Sequence, residues 1–168
     1  LYKNGLILTQ DTHFTAERPY LIYDSLVISP NITLNIDPGA IFYMHDTAKV
    51  ITYGTLLAKG TREKPIVFRG DRLDFILALN CNIEVTNTEL TNAGGGVVVL
   101  IGGEYRFIHC TLANFMTLEK RNTSCLTMAN NANKEAYPLK TTFDNCIIDG
   151  SFAAGKEEYK GELNLSVD

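Results

Sequence analysis

The chain has 168 residues, of which 45% are hydrophobic and 20% charged, with 8 Tyr, 8 Phe and no Trp. That balance suits one globular domain with a sizeable core and excludes an intrinsically disordered chain. The net charge of -4 gives no basic surface for a nucleic acid, and no apolar run approaches the roughly 20 residues of a membrane helix.

The chain opens on Leu1-Tyr2-Lys3, without Met or a charged leader, and reads as a mature or trimmed product. Residues 1–19, where polar Asp11-Thr12-His13 lead into Phe14, are expected to form part of a cap. Short clusters of apolar and β-branched residues follow: Tyr20–Tyr23, Leu26–Ile28, Ile32–Ile36, Ala40–Met44, Val50–Tyr53, Thr55–Ala58 and Ile66–Arg69. With Leu6–Thr9 before them, all read as strands. Ser29-Pro30-Asn31, Asp37-Pro38-Gly39, Tyr53-Gly54 and Lys59-Gly60-Thr61 are turn signals between them. Further on, Gly94-Gly95-Gly96 and Gly102-Gly103 flank the strand Val97–Ile101. No helix follows those glycines, so they are turns and not phosphate loops. The one short helical candidate is Asn114 to Glu119.

A repeat in the second half decides the fold class. Val85-Thr86-Asn87-Thr88-Glu89-Leu90-Thr91-Asn92 matches Phe107-Ile108-His109-Cys110-Thr111-Leu112-Ala113-Asn114 at an offset of 22 (107 − 85). It matches Phe143-Asp144-Asn145-Cys146-Ile147-Ile148-Asp149-Gly150 at a further offset of 36 (143 − 107). The longer offset fits one coil carrying an inserted loop, at about residues 115–138. Strands at this period without helices predict an all-β, single-stranded right-handed parallel β-helix, or β-solenoid, of about five to seven coils in one domain over residues 1–168. Each coil hydrogen-bonds to its neighbours about 4.8 Å away. Val85, Phe107 and Phe143 are expected in one inward stack, Thr88, Cys110 and Cys146 in another, and Leu90, Leu112 and Ile148 in a third. Asn87, His109 and Asn145 form a structural turn column in which side-chain amides tie one coil to the next.

The stretch Tyr20 to Arg72 resembles the opening coils of the pectin-lyase-like superfamily of right-handed parallel β-helix proteins. It is most similar to the secreted or surface-attached group common in Bacteroidetes. The likeness rests on Leu26-Val27-Ile28-Ser29-Pro30-Asn31-Ile32-Thr33-Leu34-Asn35-Ile36-Asp37-Pro38-Gly39-Ala40, on Tyr53-Gly54-Thr55-Leu56-Leu57-Ala58-Lys59-Gly60-Thr61 and on Lys64-Pro65-Ile66-Val67-Phe68. The resemblance implies an extracellular or outer-membrane setting, with a lipid anchor upstream of the domain. In such proteins a loop and a Trp-Gly coil follow the last of these motifs. Here Arg72-Leu73-Asp74 runs straight into Phe75-Ile76-Leu77-Ala78-Leu79, so coils are expected to be missing after Asp74.

Enzymes of this fold act on acidic polysaccharides. A lyase needs clustered carboxylates for Ca²⁺ with an Arg or Lys base beside them, and a hydrolase needs carboxylates facing one groove. Asn87-Thr88-Glu89 is only a faint echo of the hydrolase motif, and its companion motifs are absent. The expected function is therefore a non-catalytic secreted or cell-surface module, binding glycan or acting as an adhesin or scaffold. A polysaccharide lyase or glycoside hydrolase is the alternative, and a structural spacer a third reading. Candidate binding residues are Arg69, Asp71, Arg72 and Asp74, the densest charge cluster and the one place for Ca²⁺ or an acidic sugar. Lys120, Arg121 and Tyr137 join them on the inserted loop, where a rigid scaffold would display them. No cofactor is otherwise expected. Cys81, Cys110, Cys125 and Cys146 form no C-x-x-C pair, so zinc is not expected. Cys110 and Cys146 are read as buried thiols, although stacked coils would permit a disulfide. His13 and His45 have no partner at ligand spacing.

Overall fold

The computed structural model describes residues 2–3, 5–45, 48–70, 76–93, 95–115, 123–151 and 161–166. Three parallel sheets enclose one core. The first contains Tyr2–Lys3, Tyr20–Ile22, Ile41–Met44, Ile66–Gly70, Thr88–Thr91, Thr111–Asn114 and Ile147–Gly150. The second contains Leu6–Leu8, Leu26–Ile28, Val50–Thr52, Ile76–Leu79, Val98–Ile101, Leu126–Ala129 and Leu163–Ser166. The third contains Thr12–Phe14, Thr33–Ile36, Thr55–Lys59, Asn82–Thr86, Gly103–Ile108 and Leu139–Asp144. The chain visits the first, second and third sheets in turn and then begins the next coil, which makes the fold a parallel β-solenoid. No helix occurs among the described residues.

The strands are short because each side of the cylinder is narrow, and they alternate because only one face is inside. In Tyr20–Ile22, Leu26–Ile28 and Val50–Thr52 the outer two side chains are buried and the middle one is not. Inward residues stack from coil to coil in register. Val85 pairs with Phe107 and Phe107 with Phe143, while Leu90 pairs with Leu112 and Leu112 with Ile148. The core also holds an aromatic ladder that the repeat did not reveal. Phe14 stacks on Tyr20 at 4.6 Å, Tyr20 on Phe42 at 5.0 Å, and Phe42 on Phe68 at 4.5 Å. Tyr20, Phe42 and Phe68 are also strand partners, so there ring packing at the rise between coils and strand pairing reinforce each other.

Several local expectations change. The segment expected as part of a cap contains Leu6–Leu8 and Thr12–Phe14, which pair in register with Leu26–Ile28 and Thr33–Ile36. Thr111–Asn114 is a strand, so Asn114 does not begin a helix; residues 116–122 lie outside the described set. The expected insertion at residues 115–138 is interrupted by the core strand Leu126–Ala129, which pairs with Val98–Ile101. Its extra length is divided between two corners, because the register advances 28 residues in the second sheet (126 − 98) and 36 in the third (139 − 103). The second corner carries a small antiparallel hairpin, Asn131–Ala132 with Glu135–Ala136. Asn133 and Lys134 at its tip have φ of 52° and 68°, the left-handed pair that a tight two-residue hairpin turn requires. Finally, Ile66–Gly70 and Ile76–Leu79 belong to one coil. Ile76 pairs with Val50 on one side and Val98 on the other, and residues 71–75, where the break was expected, lie outside the described set.

Candidate functional site

Outward-facing residues also align between coils. On the third sheet one such column runs His13, Asn35, Leu57, Glu84, Arg106 and Thr142. Its first three members lie in an open trough of about 470 Å³, edged by Asp11, Asp37 and Lys59.

Each edge residue is held by the local fold. Asp37 begins the Asp37-Pro38-Gly39 corner, where its backbone N–H donates to Phe14 O at 2.9 Å and its carbonyl accepts from Ala40 N at 3.2 Å. Gly39 allows the corner to close because it adopts a φ of 87°. Fixed there, Asp37 Oδ1 accepts a hydrogen bond from His13 Nε2 at 2.6 Å, joining two coils. Asp11 Oδ1 accepts from the Thr33 N–H at 2.8 Å, another link between coils. Lys59 Nζ lies 3.4 Å from Glu84 Oε2. The His13 and Asp37 side chains remain 58% and 40% exposed, so the pair faces water and contributes little to stability.

Both carboxylates of the trough thus carry a hydrogen bond, and its polar groups lie around the apolar Leu57. This arrangement offers recognition by hydrogen bonds and an apolar contact. Among the described residues no group of three or more His, Cys, Asp or Glu side chains is placed to hold a metal ion. Among the described residues no helix is long and apolar enough to cross a membrane.

The residues singled out from the sequence are dispersed. Arg69 lies on the outer face of the first sheet, its Nη2 at 4.0 Å from Glu89 Oε1, with Tyr43 as its strand partner in the preceding coil. Tyr137 lies at the root of the hairpin between the second and third sheets. Its N–H donates to Asn130 O and its hydroxyl to Glu135 Oε2, both at 2.6 Å. The bond to Glu135 raises the phenol pKa. Tyr137 also packs on Gly102, where a Cβ would fall 2.3 Å from the Tyr137 Cβ. It closes the hairpin onto the solenoid, and Arg69 is on a different face. Asp71, Arg72, Asp74, Lys120 and Arg121 lie outside the described residues.

The turn column has a conformational basis. Asn87, His109 and Asn145 adopt φ of 45°, 52° and 50°, left-handed values that Asn tolerates better than most residues. The Asn87 Nδ2 donates to Gly60 O at 3.1 Å, across to the preceding coil.

Asp11, His13, Asn35, Asp37, Leu57 and Lys59 were not singled out as site residues. A signal existed: His13, Asn35 and Leu57 are spaced by 22 residues (35 − 13 and 57 − 35), the period seen in the second half.

The chain matches no protein-family profile and no solved structure. A stretch of 69 residues, 41% of the chain, is 35% identical to Protein bark beetle of Drosophila melanogaster. The match covers 2% of that protein's length.

Proposed function

We propose that this chain is a non-catalytic, glycan-binding β-helix module of a secreted or cell-surface protein, of the pectin-lyase-like kind found in Bacteroidetes. The observation that carries the reading is the third-sheet trough. Its polar side chains are mounted on a rigid ladder, its carboxylates are engaged in hydrogen bonds between coils, and it runs open across successive coils. Such a surface suits an extended ligand recognised by many weak contacts, with specificity set by a few placed polar groups.

A thermal-shift screen against neutral and acidic oligosaccharides, with and without Ca²⁺, tests this. A ligand that binds only the native chain raises its melting temperature. A shift with an oligosaccharide and no release of new reducing ends or unsaturated products supports a binding module. Product formation would replace it with the lyase or hydrolase reading. No shift across the panel would leave a scaffold or spacer.

A further inference from the structure

We infer that the third-sheet trough takes a neutral, hydroxyl-rich saccharide chain lying along the solenoid axis. This rests on the glycan-binding reading and goes beyond it by naming the ligand class and direction.

Direction follows from the ladder. His13, Asn35 and Leu57 occupy the same outward position on three successive coils, so they repeat at about 4.8 Å along the axis. That spacing is close to one hexose ring of an extended chain. A saccharide laid along the axis would meet one of these side chains per ring, whereas one laid across a strand would meet the edge residues of only one or two coils.

Class follows from charge and from the floor. The trough contributes the carboxylates of Asp11 and Asp37, and Glu84 follows Leu57 in the column. Lys59 already faces Glu84 at 3.4 Å, and His13 is committed to Asp37 at 2.6 Å. A uronate carboxylate entering here would meet like charge, which costs binding energy and discriminates against acidic chains. Sugar hydroxyls fit the same groups, because Asp11 and Asp37 retain lone pairs to accept from them and the Asn35 amide both donates and accepts. Leu57 and Pro38 offer an apolar surface to the C–H face of a ring.

The test uses the whole 168-residue chain with cellohexaose, xylohexaose and hexagalacturonate as probes, followed by amide NMR titration and calorimetry. A neutral hexasaccharide is expected to shift the amides of His13, Asn35 and Leu57. Asn35→Ala and Leu57→Asn are each expected to weaken binding at least fivefold, while Lys140→Ala, at the far end of the same sheet, leaves it unchanged. Asn35 is exposed, so its variant tests the site even if Leu57→Asn folds poorly. Hexagalacturonate binding the trough as tightly as the neutral probes would overturn the inference and leave the glycan reading standing. Neutral binding that ignores both trough variants would also overturn it. Failure of all three probes would remove the glycan reading as well.

Discussion

Cys110 and Cys146 make the same two hydrogen bonds one coil apart. Cys110 Sγ donates to Ile108 O at 3.3 Å and Val85 O at 3.4 Å; Cys146 Sγ donates to Asp144 O and Phe107 O, each at 3.4 Å. Thr88, in the coil before, donates its hydroxyl to Thr86 O at 2.9 Å. All three therefore bond to the carbonyl two residues back, across a left-handed residue. All four cysteines are free thiols.

Cys110 is buried, whereas Cys146, expected to be buried as well, is only half-buried at the end of the stack. The burial of Cys110 makes stability depend on alkaline pH. Desolvation, aided by the nearby Cys146, pushes the Cys110 thiol up to about 11 from 9.0. Above pH 9 the unfolded chain loses this proton while the folded chain keeps it, so stability falls as pH rises toward 11 and is complete below 9. The loss from this group is about 3 kcal/mol. Buried Cys81, whose pKa is also raised by desolvation, adds in the same direction. Urea midpoints between pH 8 and 11 should decline, and Cys110→Ala should make the decline shallower. An unchanged slope in the variant would show that Cys110 is not the group responsible.

The turn column separates backbone strain from side-chain bonding. Asn87→Ala should destabilise by about 1–2 kcal/mol, since Ala tolerates the left-handed backbone poorly and loses the bond to Gly60. Asn87→Gly should cost less, because it removes only the side-chain bond. His109→Asn should be neutral or slightly stabilising at a φ of 52°. Denaturant melts of the three variants give the order; equal costs for Ala and Gly at position 87 would refute the conformational account.

Phe68 is 1% exposed and stacks on Phe42 at 4.5 Å with the rings 9° from parallel. Phe68→Ala should cost about 3–5 kcal/mol. Because each coil contacts mainly its neighbours, hydrogen exchange should accelerate around Ile41–Met44 and Thr88–Thr91 more than at Ile147–Gly150. Uniform acceleration along the solenoid would mean that the coils unfold as one unit.

Thr52 is fully buried, and its Oγ1 has no hydrogen-bond partner among the described residues. Its nearness to Cys81 offsets part of the rise that burial imposes on that thiol, yet among the described residues no partner lies in hydrogen-bond geometry to the hydroxyl. Thr52→Val keeps the shape and removes the stranded hydroxyl, so it should stabilise by about 1 kcal/mol. A lower melting temperature would show that Thr52 has a partner after all.

Inward columns could be read from the sequence because packing restricts what may occupy them. Phe107 and Phe143, or Leu112 and Ile148, must fill the same space against the coil before, so the repeat persists in their side chains. The outward column lacks that restraint. His13, Asn35 and Leu57 share a position but no chemistry, and nothing local ties His13 to Asp37 across 24 residues. The strand Leu126–Ala129 was hidden for a different reason: insertions at both its corners shift it out of the 22-residue period while its pairing with Val98–Ile101 stays intact.

The ladders that join successive coils also decide how the molecule answers force. Their hydrogen bonds point along the solenoid axis, so tension applied at the two ends would act on one inter-coil seam after another, and the weakest would part first. A load applied sideways would shear many bonds together. His13–Asp37 and Asp11–Thr33 bridge adjacent coils outside the core, and each works as a stitch across such a seam.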